Sequence, residues 1–265
     1  QPNAMGGREA GGLRDLLPGY RAVTVAEDRA FMERHWGLKS GQIAAEPGLS
    51  ALEQVEAMRS GDLKFWWVVA TNPLVSMPDL NALREGMTRC PFVVVSEAYA
   101  TSETLELANL VLPAAQWSER TGAMTNSERR VTLCDGFRNP PGEAKADWEV
   151  FAELGRRLGD AEQFAYTASS EVFDEFVATT RGRVCDYSGL SHVLLRQHGA
   201  QQWPYRLGSK PGASSCTLYA DRLFPTASGR ARFVVDEPAE LPELLSAEFP
   251  LFLNTGRVED QWHTI

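Results

Sequence analysis

Asn72 and the pair Ser96-Glu97 are the polar groups in this sequence best placed to do chemistry. Asn72 directly follows the apolar run FWWVVAT, Phe65 to Thr71, and Ser96-Glu97 closes the run that begins at Phe92. Open α/β sheets bind ligands at the carboxyl ends of their strands, which is where these residues fall. An amide donates and accepts, and a hydroxyl beside a carboxylate suits ribose hydroxyls or the N–H edge of a guanine. The same residue types also build turns and helix caps, so pattern alone leaves both readings open. A third candidate is Thr255-Gly256-Arg257, with His263-Thr264 just beyond it. It joins a hydroxyl, a permissive glycine and a guanidinium whose planar fork suits phosphate; a glycine turn with a solvated arginine is the plainer alternative. Met5-Gly6-Gly7-Arg8 would let backbone approach a ligand closely, although turns explain such glycines as often.

Catalytic machinery is not assignable from spacing. The sequence has no GxGxxG after either strand and no GxxxxGK[ST], which disfavours an ordinary nicotinamide or P-loop site. It has no HExxH and no Ser-His-Asp arrangement, and carboxylate pairs such as Glu27-Asp28 read as solvated faces. His35, His192 and His198 have no partner pattern. The cysteines Cys90, Cys134, Cys185 and Cys216 are isolated, without a CxxC pair or companion histidines at metal spacing, so they read as buried reduced thiols. We assign no catalytic and no metal-ligating residue. The net charge of -9 argues against a nucleic-acid partner. The apolar runs fall far short of the roughly 20 residues a spanning helix needs, so no membrane span is expected.

The elements that must position these residues are legible from periodicity. Residues 1 to 45 read as glycine-rich and irregular. Ser50-Ala-Leu-Glu53 is a capping-box pattern followed by Leu52, Val55 and Met58 at helical spacing and a stop at Gly61. Phe65 to Thr71 reads as a buried strand, Pro78 to Arg89 as a helix, Phe92 to Ser96 as a second strand, Thr101 to Ala108 as a helix and Asn109 to Pro113 as a third strand. This βαβαβ alternation predicts a parallel sheet. Asp147 to Leu158, Ser170 to Thr180 and Ser188 to His198 read as helices, 199 to 231 as an irregular connector, and Phe249 to Arg257 as a strand entering a glycine turn. The opening at Gln1, without a signal-peptide pattern, and the end soon after that turn suggest a piece of a longer polypeptide.

Several segments in order, QPNAMGGREAGGL, ATNPLVSMPD, VVVSEAYATSETLELANLVLPAAQWSERTGAMTNSERRV, GAQQWP, SGRARF and TGRVEDQWHT, resemble bis-molybdopterin guanine dinucleotide oxidoreductases. The wording of QPNAMGGRE and AMTNSERR is closest to bacterial assimilatory nitrate reductases. The resemblance implies a Rossmann-like α/β part over 1–145, a helical and irregular connecting segment over 146–240, and the start of a C-terminal β-barrel domain over 241–265. It implies that Asn72, Ser96 and Glu97 contact a guanine dinucleotide arm, that Arg120 is a basic and Asp147 an acidic cofactor contact, and that Thr255 to Thr264, with Gly256, Arg257 and His263, form a cofactor-binding loop. Glu97 stands where some relatives have Asp.

The resemblance also implies what lies elsewhere. Relatives carry a [4Fe-4S] cluster on clustered cysteines and usually a molybdenum-ligating cysteine, and none of the four cysteines here matches those motifs. The expectation is therefore a cofactor-cradling portion of a cytoplasmic nitrate reductase, inactive alone. Its partners would be the rest of the parent polypeptide, nitrate, and an electron-donor protein or domain. Its alternatives are a formate dehydrogenase portion or a non-catalytic module that keeps the fold.

Overall fold

The glycine-rich start folds more regularly than its composition predicts. In the computed structural model, which describes residues 3–212, 217–237 and 244–253, helix α1 (Ala4–Glu9) is followed by short antiparallel strands β1 (Leu16–Leu17) and β2 (Arg21–Ala22) and by helix α2 (Ala26–His35). Close packing rather than turn geometry explains Gly6: a Cβ there would lie 2.1 Å from Asn3 Oδ1, the atom that accepts a 2.8 Å hydrogen bond from Thr125 N. Met32 of α2 buries against Leu17 and Val23, a contact whose spacing is set by the strands and not by helical period.

The central segment follows its pattern closely. Ser50 caps α3 (Ala51–Ser60) with the reciprocal bonds of a capping box, and Gly61 ends it at φ 85°, a left-handed conformation glycine reaches without strain. Strand β3 (Phe65–Val69) leads through α4 (Pro73–Ser76) and α5 (Leu80–Arg89) to β4 (Phe92–Glu97). Helix α5 starts two residues later than the proline suggests, because the Asp79 side chain accepts from Ala82 N and makes Asp79 the N-cap. The expected third helix is a 3-10 turn, Glu103–Leu107, before β5 (Leu110–Pro113). The strands form a parallel sheet in the order β3-β4-β5, pairing Val68 with Val95 and Val95 with Val111. Val68, Val93 and Val95 face α3 and α5, where Val55, Met58, Leu83 and Met87 complete the core.

Beyond β5 the chain forms a hairpin absent from the sequence expectation, β6 (Gly122–Thr125) and β7 (Arg130–Cys134), turning at Asn126–Arg129. Helices α6 (Asp147–Leu158), α7 (Ser169–Thr180) and α8 (His192–His198) follow, and β8 (Gln201–Gln202), inside the expected connector, adds a third strand to the hairpin. Glu9, fully buried, ties these parts together. It accepts from Trp203 Nε1 at 2.6 Å and from the Tyr187 hydroxyl, which also bonds Thr125.

Residues 1–216 and 217–265 form two compact units. The first contains every helix and strand named above, so the segment 146–212 belongs with the preceding α/β part. In the second, the described residues carry no helix or strand. The strand expected from Phe249 is not formed over Phe249–Leu253, and no start of a barrel is formed among the described residues; a strand persists only where neighbours satisfy its hydrogen bonds. Thr255, Gly256, Arg257, His263 and Thr264 lie outside the described residues.

Candidate functional site

Four of the sequence-nominated residues converge on the carboxyl edge of the parallel sheet. Asn72 follows β3, Glu97 ends β4, and beyond β5 the backbone of Ala114 bridges Lys145 in parallel. Bonds from Lys145 N to Pro113 O (3.1 Å) and from Ala115 N to Lys145 O (2.8 Å) fix that register. The bridge continues the edge by one more chain and delivers Asp147, the first residue of α6, to the same end as Asn72 and Glu97. Arg120 reaches it from the loop that links β5 to the hairpin.

Each side chain has a distinct local job. The Asn72 amide donates to Glu103 Oε2 (2.6 Å) and accepts from the Thr104 hydroxyl (2.6 Å) and Thr104 N (3.3 Å). It thereby pins the 3-10 turn to the end of β3, and the Asn72 bond first among the causes holds the Glu103 carboxyl below its ordinary value. One amide N–H stays available. Glu97 Oε1 accepts from Ala98 N (2.7 Å) and Tyr99 N (3.2 Å), ordering the loop after β4. Neither of these bonds involves its other carboxylate oxygen. Ser96 is buried and turned onto the sheet's second face, where its hydroxyl accepts from Trp67 Nε1 at 2.9 Å. It sits under the edge rather than on it.

Arg120 and Asp147 are the least satisfied polar pair at this edge. Arg120 Nε is buried without a hydrogen-bond partner, a costly condition unless a ligand supplies the acceptor. Its backbone is boxed in by Gly136, where a Cβ would stand 3.0 Å from Arg120 N. Burial, the larger influence, raises the Asp147 carboxyl above its ordinary value, and the Arg120 guanidinium partly offsets it. The two attract each other, yet no ion pair within 4.0 Å closes between them. The carboxylate accepts no hydrogen bond from the described residues. A donor and an acceptor held apart at the end of a parallel sheet suit a planar heterocycle with both kinds of edge, or a ribose and a phosphate.

Sequence reasoning missed the environment of α1. That helix buries Glu9 while Arg8 is exposed, and a Cβ on the neighbouring Gly7 would meet nothing within 4 Å. The Glu9 partners lie 178 and 194 residues away in sequence, so no local signal announces them. Among the described residues, no three His, Cys, Asp or Glu side chains converge as metal ligands. Cys90, Cys134 and Cys185 are free thiols, with Cys90 and Cys185 buried. No helix among the described residues is long and apolar enough to cross a membrane.

The chain is 48% identical over 266 aligned residues to a nitrate reductase of Synechocystis sp.. It is 36% identical over 265 to the assimilatory nitrate reductase catalytic subunit of Bacillus subtilis. Both alignments cover all of this chain and 37% of the relative, so the chain spans little more than a third of those proteins. Acetylene hydratase from Pelobacter acetylenicus shares the fold, with a TM-score of 0.52 at 20% identity over 75% of this chain and 26% of that one. The family description "Molybdopterin oxidoreductase" matches residues 3–157, more than half of the sequence and the whole stretch from α1 to Asp147: the chain belongs to the molybdopterin oxidoreductase family.

Proposed function

We propose that this chain is the portion of a nitrate reductase that grips a molybdopterin guanine dinucleotide at the carboxyl edge of the β3-β4-β5 sheet. The observation that carries the reading is the Arg120–Asp147 pair, an orphaned buried guanidinium nitrogen opposite a half-buried carboxylate without donors. Both groups fit such a cofactor: Arg120 offers its fork to a phosphate or ring carbonyl, and Asp147 accepts from N–H or hydroxyl groups. Glu97 offers a free oxygen and Asn72 a free N–H to the same arm. Ser96 acts from beneath by fixing Trp67. The family resemblance assigns Thr255, Gly256, Arg257, His263 and Thr264, which lie outside the described residues, to the same cofactor.

The cofactor, when bound, supplies the two-electron oxygen-atom transfer that turns nitrate into nitrite. This chain's residues bind and orient it and set its surroundings. The [4Fe-4S] centre, the molybdenum ligand and the contact with an electron donor belong to other segments of the parent polypeptide. The assimilatory likeness favours a cytoplasmic setting.

The test uses the full-length parent enzyme. Asp147→Asn and Arg120→Ala should each lower pterin content, read as the fluorescent oxidised pterin released on denaturation, with the fold intact by circular dichroism. Unchanged pterin content would reject the site. Nitrate reduction by a viologen dye, assayed beside formate oxidation, tests the substrate; formate turnover without nitrate turnover would replace nitrate in this reading.

A further inference from the structure

The parallel sheet is fully covered on one face only. Helices α3 and α5 pack on the face of Val68, Val93 and Val95, and the turn Glu103–Leu107 contributes Leu105 and Leu107 to the same side. The opposite face carries Phe65, Trp67, Phe92, Val94, Leu110 and Leu112, the alternate residues of the three strands. Helix α6 covers part of it, with Phe151 against Trp67 at 4.7 Å between ring centroids. The amino-terminal half stays open: Phe65 is 49%, Phe92 42% and Leu110 42% exposed. Between α6 and the sheet runs a groove of about 580 Å³, walled on the helix side by Val150 and Leu154. Parallel sheets are buried on both faces, because their strands are apolar on both, and an open apolar patch on one marks a contact surface.

We infer that this groove receives a helix from the polypeptide that relatives of this chain carry beyond the aligned residues, laid in by an apolar stripe of i, i+3, i+4, i+7 spacing. Three observations select that occupant. The nitrate reductase of Synechocystis sp. is matched over 37% of its length by the whole of this chain, so most of such a protein lies elsewhere. Three of the four charged groups lining the groove are spent on one another, Lys145 and Arg157 both on Glu153 at 2.8 and 2.7 Å, which leaves Glu143, so apolar burial outweighs charge in recognising the occupant. Finally, the surface is concave, and a two-fold dimer would set groove against groove and leave both unfilled.

The inference does not depend on the cofactor reading, since it predicts the same result with and without cofactor. The test is made in the full-length parent protein. Phe92→p-benzoylphenylalanine, a conservative aromatic exchange, is photolysed and the crosslinked peptide is identified by mass spectrometry. In parallel, Leu110→Cys is labelled with a maleimide beside the exposed control Glu46→Cys. A crosslink to a peptide of the same polypeptide outside these 265 residues is expected. Labelling at 110 should be slower than at 46 by roughly 100-fold or more, as for a site reached only through local opening. A crosslink within the 265 residues, a crosslink to a second copy, or no crosslink overturns the inference. So does labelling at position 110 at the rate of the control.

Discussion

Replacing Glu9 with alanine removes the acceptor at the centre of the fold, and the consequence can be worked out from its partners. Trp203, 3% exposed, loses the acceptor of its indole N–H. The Tyr187 hydroxyl recovers by donating to Thr125, 2.7 Å away. One buried donor is therefore orphaned, at about 2 kcal/mol. The void left by the γ-methylene and carboxyl carbon adds about 1 kcal/mol, for a loss of about 3 kcal/mol. The loss also depends on pH with a definite sign. Burial, outweighing the bonds from Tyr187, Trp203 and Thr125, raises the Glu9 carboxyl above its ordinary 4.5. The folded chain then holds that proton more tightly than the unfolded chain. The Glu9 contribution is accordingly full below pH 4.5 and is lost as pH rises through the folded value. The penalty of Glu9→Ala should thus be largest in acid and shrink toward neutrality. Glu9→Gln, which keeps an acceptor for Trp203, should cost less and flatten the pH profile. Urea unfolding followed by tryptophan fluorescence at a series of pH values measures all three. A penalty that grows with pH, or one below about 0.5 kcal/mol throughout, would refute the reasoning.

Other consequences are more local. Gly155→Ala puts a Cβ 2.3 Å from the Phe164 ring; helix propensity returns part of the overpacking cost, so a net loss of about 1–2 kcal/mol is expected in thermal melts. Phe164→Leu in the same background should restore part of it, and no interaction between the two substitutions would refute the contact. Lys145 first, then Arg157, lowers the Glu153 carboxyl to about 2. Its stabilising share is present above the ordinary 4.5 and is lost as pH falls through the folded value of about 2, so Glu153→Gln should flatten the acid limb of the stability curve. An unchanged acid limb would contradict the pairing. The Cys185 thiol is buried and pushed up to about 12, chiefly by burial. Peptide-level thiol labelling at pH 8 should therefore modify the half-exposed Cys134 in the native protein and Cys185 only on unfolding; equal rates would show the burial to be wrong.

The pattern of residues was sufficient for the sheet but not for the site. FWWVV, FVVVS and LVLP are β-rich runs between periodic helices, and Ser50 with Glu53 writes its own cap. Such signals are local and survive in any context. Asn72 and Glu97 were legible for the same reason, since Asn72 follows the first strand run and Glu97 ends the second. Arg120 and Asp147 were nominated only by family resemblance, because their meeting depends on the Ala114–Lys145 bridge, a pairing across 31 residues that no periodicity encodes. Ser96 shows the limit of adjacency: its neighbour Glu97 faces the edge, but alternation along the strand turns Ser96 to the other face, against Trp67.

By itself, the sequence determined a parallel α/β sheet, the ends of its strands and the polar groups placed there. Tertiary structure alone decided which of those groups are spent inside the protein and which are left without a partner. It set Asn72 to work on Thr104, left Arg120 Nε without a partner, and buried Glu9 among residues nearly two hundred positions away. The physical reason is that secondary structure follows from neighbours in sequence. Burial and hydrogen-bond satisfaction are properties of neighbours in space, which only the folded chain defines.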